Sequence, residues 1–262
     1  MDRITSKDNP KYKLLSSLMS SKKERIAQGL FVAEGLRLVS DAVKSGYIPV
    51  SVFSSEGFAT KFPDKLSVIC EGCKSCYLIT DALAERISDT KTTQGIFAVF
   101  NTLDKNLNID TIYNNGHFMF IVSLQDPGNV GTIIRTAEAM GLDGVIMTSD
   151  CPDIYSPKVL RSTMGSAFRL PIYVCTDPIE TLDLLHNKGF SSYAAILDEN
   201  SLTLGDFKFP DKSVALIGNE ANGLKDVVVE MCQNSLMIPM RGNAESLNAA
   251  SAANIIMWEM SK

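Results

Sequence analysis

The chain has 262 residues, 45% of them hydrophobic and 21% charged, and a formal net charge of −5. That is an ordinary globular composition, long enough for one large domain or two smaller ones, each with a buried core. No N-terminal stretch joins a basic start to an apolar core, and no apolar run approaches bilayer length, so neither export nor membrane insertion is indicated and a cytoplasmic location is expected.

An acidic total also speaks against nucleic-acid binding by overall charge, since phosphate contacts need clustered Lys and Arg. The local distribution differs. Lys7, Lys11, Lys13, Lys22, Lys23 and Arg25 make the first segment basic, with Asp8 and Glu24 the only nearby acids; on charge alone this is a solvated helical face. Six cysteines without a signal peptide read as reduced thiols. Cys70, Cys73 and Cys76 have a CxxCxxC spacing that could begin a zinc or iron–sulfur site, but such a site wants a fourth ligand, and Cys151, Cys175, Cys232, His117 and His186 are all distant in sequence. Thiols in a loop and a strand start, with no metal, are expected.

In chain order, residues 8–28 read as helical, 30–33 as a short strand, and 34–45 as a helix with Leu36, Val39, Ala42 and Val43 at helical spacing and Gly46 as its stop. Apolar runs at 48–53, 66–70 and 77–79, a helix at 81–87 and a strand at 95–100 complete an alternating α/β unit. Residues 101–116, with repeated Asn and Asp and a closing Gly116, have the composition of a linker. The alternation then resumes: strand 118–124, helix 131–140, strand 145–148, helix 157–164, strand 170–174, helix 179–188, strands 192–197 and 214–217, helix 224–232, strand 236–238 and helix 245–260. This succession predicts a mostly parallel sheet covered on both faces. The expected organisation is a first domain at 1–104, a linker at 105–116 and a second domain at 117–262, without internal repeats or low-complexity tracts.

In such sheets ligands gather at the C-terminal ends of strands, and three of the loops there are chemically unusual. The first is Gln125-Asp126-Pro127-Gly128-Asn129-Val130-Gly131, where Pro127 and Gly128 permit a tight turn and Asn129 is suited to cap the following helix. On that helix Val130, Ile133, Ile134, Ala137 and Gly141 form the core-facing stripe, so Thr132, Arg135 and Ala139 point elsewhere. Taken alone, Arg135 reads as the partner of Glu138 in an i,i+3 ion pair. The second loop, Gly218-Asn219-Glu220-Ala221-Asn222-Gly223, follows the buried run 214–217; no GxGxxG follows any strand, which disfavours a nicotinamide cofactor. The third, 238–248, presents Glu245, Ser246 and Asn248 together before an Ala-rich helix; Ser246 and the alanines could belong to nothing more than a capped core helix.

In order and spacing, these segments resemble the three motifs of the SpoU-type, or TrmH-like, branch of the SPOUT RNA methyltransferases. The first matches at Asn129, Gly131 and Arg135, the second at Gly218, Asn219, Glu220 and Gly223, and the third over 238–248; residues 156–171 also look like the family. The matches span most of 118–260, and the ordered set is specific where a single motif is not. Ala221 departs from the family's usual glycine, a small change. The N-terminal part, through Phe31-Val32-Ala33-Glu34-Gly35 and its layout, resembles the small ribosomal-protein-like RNA-binding domain that precedes the catalytic domain in many members.

The resemblance implies an α/β fold with a C-terminal trefoil knot, a homodimer whose site takes groups from both subunits, and transfer of a methyl group from S-adenosylmethionine to a ribose 2′-hydroxyl, in ribosomal RNA by preference and in transfer RNA as the alternative. It implies catalytic roles for Arg135, Asn129, Glu220, Ser246 and Asn248. Cofactor contacts are expected at Ala195, Ile217, Gly218, Ile238, Met240 and Leu247. RNA contacts are expected at the basic N-terminal residues above, Arg25 included, and at Arg161. A non-catalytic RNA-binding factor on the same fold is the first rival; a nucleotide-dependent small-molecule enzyme, suggested by the α/β layout alone, is the second.

Overall fold

The computed structural model describes residues 1–103, 112 and 115–262, and most of the expected linker lies outside the described residues. The chain divides into two compact units, Met1–Leu103 with Asp153–Phe168, and Asp104–Pro152 with Arg169–Lys262. The segment 153–168, expected within a continuous second domain, thus packs with the N-terminal residues.

In the first unit, β1 (Asp2–Ile4), β2 (Leu30–Glu34), β3 (Ser51–Ser55), β4 (Cys76–Ile79) and β5 (Ile96–Asn101) form a sheet of order β1-β4-β3-β5-β2. Strands β1, β4 and β3 run parallel, while β5 is antiparallel to both β3 and β2. The helices are α1 (Pro10–Ser20), α2 (Lys22–Gln28), α3 (Leu36–Lys44), α4 (Glu56–Lys61), α5 (Pro63–Cys70) and α6 (Asp81–Ile87). One helix was expected over 8–28; the chain breaks it at Ser21, whose extended backbone (φ −121°) ends α1 and whose hydroxyl accepts the Glu24 N–H to cap α2. The apolar run 66–70 lies in α5, which buries Leu66 and Ile69 and is started by Pro63 at its first turn, and β1 and α4 were not anticipated. Segment 153–168 adds the helix Pro157–Thr163, α8 in chain order, and a 3-10 turn, Ser166–Phe168. It is held by Phe31 stacked on Tyr155, ring centroids 4.6 Å apart, and by a buried ion pair between Arg25 and Asp153 at 2.7 Å.

The second unit has a wholly parallel seven-stranded sheet among the described residues, of order β10-β12-β9-β11-β6-β7-β8. Its strands are β6 (Gly116–Ile121), β7 (Gly144–Thr148), β8 (Ile172–Cys175), β9 (Ser191–Ala195), β10 (Leu202–Thr203), β11 (Lys212–Ile217) and β12 (Asn234–Met237), of which β10 was not foreseen. The helices are α7 (Pro127–Ala139), α9 (Pro178–Asn187), α10 (Asp226–Met231) and α11 (Ala249–Met260). Phe118, Phe120, Ile146, Leu182, Val214 and Leu216 meet in one core, as buried parallel strands require. The expected α/β parallel sheet is present. On α7 the stripe of Val130, Ile133, Ile134 and Ala137 is buried as expected, but Gly141 is exposed with φ +74° beyond the helix end, and Leu142 fills the core in its place.

Candidate active site

Register fixes where the strands end. Leu236 lies opposite Ala195, Leu216 opposite Ala194, and Ile217 opposite Ile121, so the loops after β6, β9, β11 and β12 all leave from one edge of the sheet. Of the residues expected to hold a cofactor, Ala195, Ile217 and Gly218 sit at or just past strand ends on this edge, and Ile238 directly follows β12.

Three side chains tie the loops together. Asn248 donates through Nδ2 to Asn129 Oδ1 at 3.1 Å, and Asn129 donates through its own Nδ2 to Glu220 Oε1 at 2.9 Å. Glu220 further accepts the Asp126 N–H on Oε1 and the Gln125 N–H on Oε2, each at 3.0 Å. Burial acts to raise the Glu220 carboxyl, but the hydrogen bonds from Asn129, Asp126 and Gln125 outweigh it and hold the group below the ordinary carboxylate range. One carboxylate from the second loop therefore pins the backbone of the first, and one amide from the third closes the chain of bonds.

Asn129 does not cap α7. Asp126 does, accepting the N–H groups of Gly128 and Asn129 at 2.6 and 2.9 Å, which frees the Asn129 amide to face the other loops. Asn248 caps α11 through its Oδ1, so that helix begins at Ala249, and Glu245, Ser246 and Leu247 lie in an exposed stretch before it instead of on its first turn. Ser246 makes no hydrogen bond among the described residues. Met240 and Ile238 are half-buried, and Leu247 is exposed.

Gly218 is required by close backbone approach: a Cβ there would lie 2.2 Å from the carbonyl carbon of Gly223, because the loop doubles back through paired backbone bonds between Asn219 and Gly223. Ala221 has no positive φ, and its N–H is accepted by Asn219 Oδ1 at 2.9 Å, so glycine is not needed there. Sequence reasoning missed the support beneath the first loop. Ser123 takes a left-handed backbone (φ +54°), donates its hydroxyl to Asp150 at 2.6 Å, and has its carbonyl bonded by Asn219 Nδ2 at 2.9 Å. A strained serine carries no sequence signal.

Arg135 stands apart from this network. It is exposed and unpaired among the described residues, six positions beyond Asn129, which on a helix is about 240° around the axis. Glu138 binds Arg169 instead, so the i,i+3 ion pair is not formed.

Of the expected RNA contacts, Lys7, Lys11, Lys13, Lys22 and Lys23 are exposed. Arg25 is not: only 4% of it is exposed, and besides Asp153 it donates to the Leu18 and Met19 carbonyls, which makes it a structural residue. Arg161 bonds Asp89 through one nitrogen at 2.6 Å. Cys70 ends α5, Cys73 follows in a turn and Cys76 opens β4; burial raises all three thiols, Cys76 to about 11. No group of three or more His, Cys, Asp or Glu among the described residues is placed to hold a metal ion, and no described helix is long and apolar enough to cross a membrane.

A parallel α/β sheet with polar and glycine-bearing loops joined at its C-terminal edge defines a class that binds a ligand at the strand ends. Residues 117–258 match the model of the SpoU rRNA Methylase family, and residues 9–98 match the MRM3-like substrate binding domain. The chain belongs to the SpoU rRNA methylase family. It is 32% identical to the 23S rRNA (guanosine(2553)-2′-O)-methyltransferase RlmP of Bacillus subtilis, over 99% of each chain. It is 29% identical to the 23S rRNA (uridine(2479)-2′-O)-methyltransferase of Streptomyces viridochromogenes, over 98% of this chain and 91% of that one. The crystal structure of an AdoMet-bound rRNA methyltransferase from Sinorhizobium meliloti superposes with a TM-score of 0.86 at 27% identity, over 99% of this chain and 97% of the other. The family expected from the three motifs is thereby established.

Proposed function

We propose that this chain is an S-adenosylmethionine-dependent methyltransferase that modifies a ribose 2′-hydroxyl of ribosomal RNA, acting in the cytoplasm as a homodimer with a knotted C-terminal segment. The observation that carries the site is the Asn248–Asn129–Glu220 chain of bonds, which joins all three family motifs at one sheet edge. The full-length likeness to two 23S ribosomal RNA 2′-O-methyltransferases supports the substrate and the reaction. Those relatives are named for different nucleosides, so the target nucleotide is not carried over.

The residues at the edge fit the cofactor. Gly218 keeps the backbone free of a side chain where a Cβ would strike Gly223, and Ile238, Met240 and Leu247 offer incompletely covered apolar surface suited to an adenosine. Ala195, Ile217 and Gly218 border the same edge. When bound, the cofactor would supply an activated methyl group and leave as a neutral thioether, with the hydroxyl proton passing to solvent, so no metal is needed. The chain's task is then alignment and charge compensation, since a 2′-hydroxyl is almost wholly protonated at neutral pH. Arg135, through its guanidinium, stabilises negative charge developing on that oxygen and orients a neighbouring phosphate. Asn129 and Asn248 hold the loops in register, Glu220 locks the first loop, and Ser246 meets the substrate. A homodimer is supported by Arg135 lying away from the network on its own chain and by the exposed Ile255 and Trp258 of α11. The exposed N-terminal lysines and the substrate-binding domain match support RNA as the partner. Six free cysteines agree with a reducing compartment.

Incubation with labelled S-adenosylmethionine and total RNA from a strain lacking the protein tests the reading. Label is expected in ribosomal RNA as a 2′-O-methyl nucleotide. No transfer to any RNA would overturn the enzyme assignment, and transfer to transfer RNA alone would overturn the substrate.

A further inference from the structure

Within the first unit lies a cleft of about 290 Å³. Its floor is built by Glu34, which is 6% exposed and accepts from the Asp89 N–H and from the hydroxyls of Ser88, Thr90 and Thr93, so the loop 88–93 is drawn against the end of β2. Gly35 cannot cap α3 with a side chain, and Gln94 does so instead, its Oε1 accepting the Leu36 N–H at 2.7 Å. That fixes the amide so that its NH₂ group is left to donate.

The cleft is richer in donors than the fold requires. Arg37 lines it and has no ion pair among the described residues, and Lys91 stands exposed between Thr90 and Thr92, which both line it. Arg161 spends one nitrogen on Asp89, while its Nη1 is buried with no acceptor among the described residues. A guanidinium N–H left without an acceptor in a buried place is costly, so Arg161 gains where a shift of its side chain brings that nitrogen to an acceptor in the cleft. The lining also has an apolar part. Leu38 and Met164 form it, and Met164 is held in the left-handed region (φ +51°), a conformation that side chains avoid unless the surroundings impose it. Gly165 follows at φ +89°, where a Cβ would lie 2.7 Å from Asp41 Oδ2, so the turn that presents Met164 is fixed on both sides.

We infer that this cleft is a subsite for one unpaired nucleotide of the RNA substrate, its phosphate taken by Arg37 and Arg161 and its base lying against Met164 and Leu38. Cationic donors beside a polarisable apolar wall, in a volume at the lower end of the small-ligand range of roughly 300–1,000 Å³, suit a nucleotide better than a bare anion. Sequence-specific recognition of RNA commonly takes unstacked bases in single-stranded loops, and a cleft of this size admits such a base and no duplex. The α3 N-terminus at Gly35 adds its dipole to the attraction for phosphate. The inference rests on the RNA reading given above and names where, outside the transfer site, the RNA is read.

The test uses the full chain. Binding of ribosomal RNA from a strain lacking the protein is measured across salt concentrations for the natural protein, Arg37→Gln, and a control, Lys44→Gln, which removes a charge at the far end of the same helix. Arg37→Gln is expected to weaken binding roughly tenfold and to lower the slope of log affinity against log salt by about one, whereas Lys44→Gln leaves the slope unchanged. Separately, the methyl resonance of Met164, assigned by its loss in Met164→Leu, is followed while a random-sequence single-stranded RNA octamer is added. A saturable shift that inorganic phosphate alone does not produce is expected. An unchanged slope in Arg37→Gln, a silent Met164 methyl, or an equal response to phosphate overturns the subsite. Absence of methyl transfer by the natural protein overturns the enzymatic reading instead, and the octamer titration still decides on the cleft.

Discussion

Glu220 shows how one residue can set both geometry and pH response. Its folded pKa lies below the unfolded value, so its contribution to stability is complete above the ordinary carboxylate pKa of about 4.3 and is lost as pH falls through the lowered folded value. The Gln125 and Asp126 amides are therefore expected to stay protected from hydrogen exchange down through the ordinary carboxylate range and to open only in stronger acid. In Glu220→Gln one oxygen can still accept, but the new NH₂ group faces an N–H donor. That variant is expected to lose the acid transition and at least about tenfold in transfer rate, while global stability changes by about 1 kcal/mol or less because the group is largely exposed. A second residue carries a different prediction: Arg135→Ala is expected to abolish transfer and leave S-adenosylmethionine affinity, measured by calorimetry, within about twofold, and lost cofactor binding would reassign it. Arg25 marks the limit of reading residues singly. Its neighbours in sequence made it look like a phosphate contact, whereas its partner Asp153 is 128 positions away. Arg25→Ala would leave that carboxylate buried and unpaired, and a loss of roughly 3–5 kcal/mol is expected in denaturant unfolding.

Among the elements, the second loop makes the sharpest distinction between two glycine-like positions. Gly218→Ala puts a Cβ against the backbone of Gly223, so the turn must open at a cost of about 1–3 kcal/mol, and cofactor affinity is expected to fall with it. Ala221→Gly removes nothing the turn uses and is expected to leave both affinity and thermal midpoint unchanged. The regular strands and the polar loops were legible in the sequence because buried parallel strands are continuous apolar runs and the loops interrupt them with glycine and amides. Helix starts were less legible. Asn129 and Ser246 are good caps by residue type, but Asp126 and Asn248 hold those places, a choice among neighbouring capping residues that composition does not reveal. The run 66–70 was ambiguous for a related reason, since a short apolar stretch fits either a strand or the inner face of a helix.

For the whole molecule, the family and the sheet were readable from three spaced motifs, whereas the allegiance of 153–168 to the first unit rests on tertiary contacts such as Phe31 with Tyr155. The surface of α11 bears on assembly. Its inner side packs on α7, β6 and β11, yet Ile255 and Trp258, three apart and so on one face, are 41% and 56% exposed. If this face joins two copies, Ile255→Asp with Trp258→Asp is expected to yield a monomer in sedimentation, without transfer activity. If Arg135 serves the partner's site, two impaired variants should complement each other. Mixed and reassociated, Arg135→Ala and Glu220→Gln form hybrid dimers in which one of the two sites has both natural residues. With half of all dimers hybrid, about a quarter of the natural activity is expected to return. If each site were built within one chain, every site in the mixture would carry one substitution, and activity would stay at the level of the separate variants.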